Sequence, residues 1–214
     1  MLYDITPPIT ELTKVWPGDT PPSREVLCDM ANGANITLST LRSTVHLGAH
    51  ADGPNHYSHP ALGIGERPLS HYLGPCQLID ADISRGKRVR YEDLRLPARG
   101  SGQITQPRVL IRTGSFPDPA NWNSDFAALD PALVDALAAQ KVITVGVDTP
   151  SVDLQDSKDL PAHHAFARHD IAIIEGLALS GVPAGVYELI ALPLKLIGFD
   201  ASPIRAVLRT LGAP

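Results

Sequence analysis

Three histidines and one aspartate lie within eleven residues of this chain, and together these side chains could hold a metal ion. They occupy the run His46-Leu-Gly-Ala-His50-Ala-Asp52-Gly-Pro-Asn-His56. Imidazole nitrogen and carboxylate oxygen are the ligands that zinc and similar borderline metals prefer. The alternative is a histidine-rich loop in solvent, but such a loop has no structural reason to collect this set. The run therefore predicts a metal-binding site.

The spacing requires the chain to bend inside this run. On a straight strand, the four steps from His46 to His50 would span roughly 13 Å. Two ligands of one ion lie within about 4 Å of each other, because each bond is near 2 Å. Gly48 can adopt backbone angles that other residues avoid, so it is the expected bend, and the Gly-Pro pair after Asp52 ends any regular element. We therefore expect the end of a strand to run into a tight, irregular metal-binding loop.

The composition is that of a soluble globular protein. The chain has 214 residues, of which 43% are hydrophobic and 19% are charged. This length allows one domain with a sizeable core but not two ordinary domains, so residues 1–214 are predicted to form a single domain. The formal net charge of −5 and the lack of a Lys/Arg cluster argue against nucleic acid or an anionic membrane as a partner.

The location that the sequence predicts is the cytoplasm. No run of 18 or more apolar residues could span a membrane, and the N-terminus lacks the basic start and apolar stretch of a signal peptide. Cys28 and Cys76 are far apart, which predicts free, buried thiols in a reducing compartment.

Many short strands and few helices are predicted. One helix is expected from Pro131 to about Gln140, with Asp130 as its N-cap, and another from Ala162 to about Arg168. Alternating or continuous apolar runs predict strands at 35–41, 77–83, 108–113, 142–147, 171–174 and 187–192, with a further candidate at 195–199. The predicted fold class is therefore an α/β domain with a mixed sheet, whose strand order the sequence does not fix.

A metal site built on this run needs further ligands from distant parts of the chain. The best candidates are Glu175 and one histidine of the adjacent pair His163 and His164, between which the sequence alone gives no preference. Glu175 ends an apolar strand, where a carboxylate is costly to bury unless it is paired or bound to metal. The alternative for Glu175 is a strand-end side chain that turns to solvent.

The eleven-residue run resembles the signature H-x-G-[TA]-H-x-D-x-P-x-H of the cyclase family of metal-dependent hydrolases. Within this family, the chain looks most like the bacterial kynurenine formamidase (arylformamidase) branch. The likeness covers nearly the whole chain and includes Trp16-Pro-Gly-Asp19, Gly146-Val-Asp-Thr-Pro-Ser151, Ala162-His-His-Ala165, Ile174-Glu-Gly-Leu177 and Tyr187-Glu-Leu-Ile-Ala-Leu-Pro193.

This resemblance implies a site with two Zn²⁺ ions per subunit. By match to the family pattern, His46, His50 and Asp52 would hold the first ion. Asp52 and Glu175 would bridge the ions, and His163 rather than His164 would complete the second site. The resemblance also implies a swivelling β/β/α domain that forms a homodimer or a larger homo-oligomer.

The implied reaction is the hydrolysis of N-formyl-L-kynurenine to L-kynurenine and formate in tryptophan degradation. Zinc can lower the pKa of bound water to near 7 and polarise a carbonyl group. The resemblance also implies that His56 is the catalytic acid/base. Its position beyond the proline after Asp52 would let it face the metals without binding them; the alternative is a third ligand for one ion. Trp16 would stack on the aryl ring of the substrate, although it could also be a plain core residue.

Two other functions compete with this one. A related branch of the same family hydrolyses cyclic amides such as isatin, with the same fold and metals. A non-catalytic module could use zinc structurally, but structural sites are usually closed by four ligands that often include cysteine. The two widely separated cysteines argue against that module.

Overall fold

A nine-stranded mixed sheet is the main element of the computed structural model, which describes residues 1–96 and 103–212. In chain order the strands are β1 (Leu2–Asp4), β2 (Ser23–Cys28), β3 (Leu38–Arg42), β4 (His50–Asp52), β5 (Leu73–Asp80), β6 (Arg88–Val89), β7 (Arg108–Arg112), β8 (Ala128–Leu129), β9 (Thr144–Val147), β10 (Ala172–Glu175), β11 (Gly185–Ile190), β12 (Ala201–Pro203) and β13 (Val207–Thr210). The α-helices of this part of the chain are α1 (Pro131–Ala139) and α2 (Pro161–His169). Neither the two helices nor the short 3-10 turns within the described ranges are long and apolar enough to cross a membrane.

The order of the large sheet is β1-β13-β11-β5-β7-β9-β10-β4-β12. Its centre, β5-β7-β9-β10, is parallel, and the strands on both sides of this centre are antiparallel. Parallel strands are usually covered on both faces, which explains why they read as nearly continuous apolar runs in the sequence. The remaining strands form an antiparallel hairpin, β2-β3, and a short parallel pair, β6-β8. The mixed sheet and the two helices confirm the predicted α/β fold class.

Alternate side chains of the central strands enter two apolar layers, one on each face of the sheet. Val109 and Ile111 pack in the layer that contains Leu133 of α1 and Phe166 of α2. Leu110 lies in the opposite layer, among side chains from the antiparallel strands. The helices therefore cover one face, and the antiparallel parts of the sheet curl over the other.

The two helices begin in different ways. At α1, Asp130 caps the helix by accepting a hydrogen bond of 2.9 Å from the backbone N–H of Ala132, as predicted. At α2, the carboxylate of Asp153 accepts from the backbone N–H groups of Ala162 and His163 at 3.1 Å. This second cap comes from a preceding loop, and it fixes the start of α2, which carries the buried His163.

Two local predictions outside the histidine-rich run are wrong. Residues 195–199 form an irregular loop instead of a strand, because the main-chain carbonyls of Leu196 and Phe199 accept hydrogen bonds from the turn at residues 64–65. Cys28 is half-buried and not buried, whereas Cys76 is buried as expected, and both thiols are free.

Candidate metal centre and adjoining cavity

The histidine-rich run folds as a bend, a short strand and a turn. Gly48 has φ of +56°, a left-handed conformation that glycine adopts without steric cost. This bend brings His46 back toward β4, which carries His50 and Asp52, and the 3-10 turn Pro54–His56 follows. The predicted bend is confirmed, but the strand follows it instead of leading into the run. The reason is that β4 is inserted between β10 and β12.

Strand pairing brings Glu175 to this run. In the antiparallel register of β10 and β4, Glu175 stands opposite His50. The next residue, Gly176, has φ of +67°, and a Cβ there would lie 2.1 Å from the carbonyl oxygen of Gly48. Only glycine allows this close approach. The same carbonyl oxygen lies 3.0 Å from Nδ1 of His50, so Nδ1 donates to it and Nε2 faces the carboxylates.

Asp52 lies at the centre of the cluster. Its Oδ1 is 3.3 Å from Nδ1 of His46 and 3.5 Å from Nε2 of His50. Its Oδ2 is 3.7 Å from Nε2 of His163. Glu175 closes the group, with Oε2 3.3 Å from Nε2 of His50 and Oε1 3.8 Å from Nε2 of His163. The five residues that the sequence analysis named as ligands therefore converge on one small volume.

The adjacent histidines of α2 have different surroundings. His163 is buried in the cluster, whereas His164 is exposed. Nδ1 of His163 donates to the fully buried carboxylate of Asp153 at 2.9 Å, and Arg88 donates to the same carboxylate at 2.7 Å. Because Nδ1 carries this proton, Nε2 of His163 is left to face Asp52. Sequence analysis missed Asp153, since a lone aspartate in a loop has no recognisable spacing to the other site residues.

The central atoms of the cluster fit a metal ion. Nε2 of His50 and both carboxylate oxygens of Asp52 are buried and have no hydrogen-bond partner. Buried polar atoms are almost always paired, and an ionised carboxylate without a partner is especially costly. A cation between these atoms would satisfy all three, and nitrogen with carboxylate oxygen is a donor set that suits zinc.

The charges of the cluster also favour a cation. Burial lowers the pKa of His46, but the carboxylates of Asp52, Asp200 and Glu175 together raise it to about 9. Burial also lowers the pKa of His163, but Asp153 and Asp52 raise it to about 10. For Asp52, burial raises the pKa, while His163 and His46 bring it well below its usual range. The carboxylates therefore dominate the local potential.

His56 lies beside the cluster and is less enclosed. Its side chain is 35% exposed, and one ring nitrogen lies within 4.8 Å of an oxygen of Asp52 and a nitrogen of His163. Burial lowers the pKa of His56 from its ordinary value. Asp200 lies close by, at the start of the chain segment that leads into β12. Sequence analysis also missed Asp200, because it lies 154 positions from His46 and belongs to no recognisable catalytic or metal-binding motif.

The cluster opens into a cavity of about 1080 Å³, and His46, His50, His56, His163 and Glu175 contribute to its wall. The same cavity is lined by aromatic side chains from three loop positions: Trp16, Phe116 and Trp122. Trp16 and Trp122 pack edge to face with ring centroids 5.7 Å apart. Trp16 is 37% exposed, so it is not a plain core residue. Phe116 and Trp122 were missed because single aromatic residues in loops follow no pattern.

Comparison with known proteins identifies the family. The family described as "Putative cyclase" matches residues 3–154, which is more than half of the chain. The chain belongs to the cyclase family.

Solved structures similar to this cyclase-family chain share its fold over nearly their whole length. One is a potential metal-dependent hydrolase with cyclase activity, with 28% identity and a TM-score of 0.80 over 97% of this chain and 96% of the other. A second, a predicted metal-dependent hydrolase from Bacillus stearothermophilus, has 28% identity and a TM-score of 0.78 over 97% of each chain. Isatin hydrolase A from Ralstonia solanacearum has a TM-score of 0.81 over 97% of this chain and 91% of its own, but its 21% identity indicates the fold alone.

The cluster of this cyclase-family member combines two parts of the chain. The family match at residues 3–154 includes the histidine-rich run. His163 and Glu175 lie beyond it and reach the run through the start of α2 and through the pairing of β10 with β4.

Proposed function

We propose that this protein is a metal-dependent hydrolase of the cyclase family that converts N-formyl-L-kynurenine to L-kynurenine and formate. One observation carries the proposal: a buried cluster of histidines and carboxylates and a group of aromatic side chains line the same cavity of about 1080 Å³. The cluster suits the cleavage of an amide, and the aromatic side chains suit an aryl group beside that amide.

Two zinc ions per subunit are the proposed cofactors. His46, His50 and Asp52 would hold one ion, His163 would complete the site of the other, and Asp52 and Glu175 would be shared by both. The unpaired buried atoms of His50 and Asp52 support this assignment. When bound, zinc supplies a Lewis acid for the substrate carbonyl and makes a water molecule easier to deprotonate.

The protein side chains divide the remaining tasks. His56 would transfer a proton between the attacking water and the leaving aniline nitrogen, because it is near the cluster and is also exposed to the cavity. Oε1 of Glu175 accepts a hydrogen bond of 2.8 Å from the backbone N–H of Val152, which would orient this carboxylate for metal binding. Trp16 would contact the aryl ring of the substrate, with Phe116 and Trp122 beside it.

Removal and return of the metal tests this proposal. The metal-stripped protein should lose its activity toward N-formyl-L-kynurenine and regain it when zinc is added. Elemental analysis of the same samples should give close to two zinc ions per chain in the active form. Full turnover by protein that elemental analysis finds metal-free would overturn the proposal.

Hydrolysis of isatin is the second candidate. It is favoured by the similarity in fold to isatin hydrolases, one of which is bound to the product analogue thioisatinate. Isatin is a flat, bicyclic amide and would contact the same aromatic side chains of the cavity. The ratio of kcat/KM for the two substrates on one enzyme preparation separates the candidates. A value for isatin that equals or exceeds that for N-formyl-L-kynurenine would assign this chain to the isatin-type branch.

We also propose that the chain forms a homodimer or a larger homo-oligomer. The β2-β3 hairpin supports this, because it exposes the apolar side chains of Val26, Leu27, Met30 and Leu41. Light scattering coupled to size-exclusion chromatography should give at least twice the mass of one chain. The mass of one chain at micromolar concentration would contradict this part of the proposal.

A further inference from the structure

Asp200 contacts two histidines to which the proposed function gives different roles. Its Oδ2 lies 3.0 Å from Nε2 of His46, which is a hydrogen bond, and 3.7 Å from Nδ1 of His56. An ionised carboxylate only accepts hydrogen bonds, so Nε2 of His46 carries the proton. One side chain thus connects a proposed metal ligand with the proposed acid/base.

The contact with His46 determines which ring nitrogen faces the metal cluster. Because Nε2 donates to Asp200, Nδ1 is the ring nitrogen that faces the cluster, 3.3 Å from Oδ1 of Asp52, and it would bind a metal in place of a proton. Histidine ligands commonly donate their second ring N–H to a carboxylate, which fixes the tautomer and the orientation of the ring. Asp200 satisfies this condition for His46, as Asp153 does for His163.

The position of Asp200 is fixed by the backbone that carries the cluster. Its main-chain carbonyl accepts a hydrogen bond of 2.7 Å from the N–H of Gly53. The following residue, Ala201, stands opposite Asp52 in the pairing of β12 with β4. The carboxylate of Asp200 is 47% exposed, so it approaches the two histidines from the side of the solvent.

We propose that Asp200 is a positioning residue that orients His46 for metal binding and holds His56 over the same site. The role toward His56 rests on the proposed function. The role toward His46 does not, because it concerns metal binding alone. A surface ion pair without a role would be worth little and would not alter metal affinity.

Zinc affinity tests the contact with His46 without any substrate. We would strip the metal from the wild type, Asp200→Ala and Asp200→Asn, and titrate zinc against a chromogenic chelator. The matched control is Asp82→Asn, which removes an exposed carboxylate that lies 3.0 Å from Arg95. One of the two zinc ions should bind roughly 10- to 100-fold more weakly to Asp200→Ala, with Asp200→Asn in between because its amide oxygen can still accept. Thermal unfolding of the metal-free proteins identifies any variant that does not fold. Wild-type zinc affinity in a folded Asp200→Ala would overturn the proposal.

Turnover at saturating zinc tests the contact with His56. Under this condition both sites are filled, so weak metal binding no longer limits the rate. We expect kcat of Asp200→Ala for N-formyl-L-kynurenine to fall about tenfold or more, with KM near that of the wild type and no change in Asp82→Asn. Wild-type kcat at saturating zinc would overturn the role assigned toward His56. If the wild type does not cleave this substrate, the proposed function fails, and the zinc titration still decides the role toward His46.

Discussion

The metal cluster and the aromatic part of the cavity differ in how the fold holds them. The cluster is built on the paired strands β4 and β10 and on the capped start of α2, and its ligand candidates are almost completely buried apart from His46. The aromatic part is built from loops, and its side chains contact one another edge to face. Strand register fixes the positions of side chains closely, whereas loops accept changes without disturbing a sheet. We therefore expect the sheet to determine the metal chemistry of the site and the loops to determine the choice of substrate.

This contrast predicts effects of very different size. In the cluster, each side chain pairs with a neighbour or would bind a metal, so the loss of one should leave buried polar atoms without a partner. An edge-to-face aromatic contact is worth only about 0.5–1.5 kcal/mol beyond its apolar burial. Substitutions in the cluster should thus remove the metal or catalysis, whereas substitutions of the aromatic side chains should change substrate affinity only modestly.

The largest effect is expected for Asp52→Ala. Asp52 would be shared by both proposed ions and lies at the centre of the cluster, so the variant should lose both zinc and measurable hydrolysis. Elemental analysis and a turnover assay of the purified protein check this. Two retained zinc ions would show that Asp52 is not a shared ligand. His46→Ala should also lose activity, but should keep the zinc at the site of His163 and Glu175.

The second effect concerns His56→Ala. Zinc content should stay near normal while kcat falls by roughly 10² to 10⁴, the usual contribution of general acid–base catalysis. His164→Ala is the control, because this histidine is exposed on α2 and lies outside the cluster. A metal-depleted His56→Ala would make His56 a ligand, and our assignment of its role would be wrong.

A smaller effect on metal content is expected for Glu175→Gln. The amide is a poorer metal ligand than the carboxylate, so zinc occupancy should fall toward one ion per chain. Glu188→Gln is a suitable control. Glu188 lies on β11, which three strands separate from β10 in the sheet, and it pairs with Arg209. Two tightly held ions in Glu175→Gln would remove Glu175 from the site.

The smallest effect is expected for Trp16→Ala. Loss of a stacking contact worth roughly 1 kcal/mol corresponds to about a fivefold change in affinity. KM for an aryl formamide should rise by this factor, and KM for formamide itself should change less. Trp16→Phe should retain most of the affinity for the aryl substrate. An equal rise in KM for both substrates would show that Trp16 does not contact the aryl ring.

Sequence analysis predicted those parts of the site that depend on local spacing. The run from His46 to His56 carries its own signature, including the bend at Gly48, and Glu175 was found because a carboxylate ends an apolar strand. Asp153 and Asp200 were missed because each becomes a neighbour of a histidine only through tertiary contacts. Between His163 and His164, the physical reason for a preference is burial, which the sequence does not reveal.

The same limit applies to the fold. The continuous apolar runs at β7, β9 and β10 were predictable, because buried parallel strands have this composition. Residues 195–199 have similar apolar side chains, yet their carbonyls bond to a distant turn and not to a neighbouring strand. The assignment of residues 1–214 to a single domain remains a prediction.

The close approach of Gly176 to Gly48 has a consequence for recognising active members among related sequences. A Cβ at residue 176 would displace the carbonyl oxygen of Gly48, which holds Nδ1 of His50. A relative that keeps every histidine and carboxylate but replaces this glycine would hold His50 in a different orientation. A sequence pattern for relatives that can bind metal should therefore join the histidine-rich run to a distant Glu-Gly pair. In this pair the glycine, which has no side chain, predicts metal binding as well as the neighbouring carboxylate does.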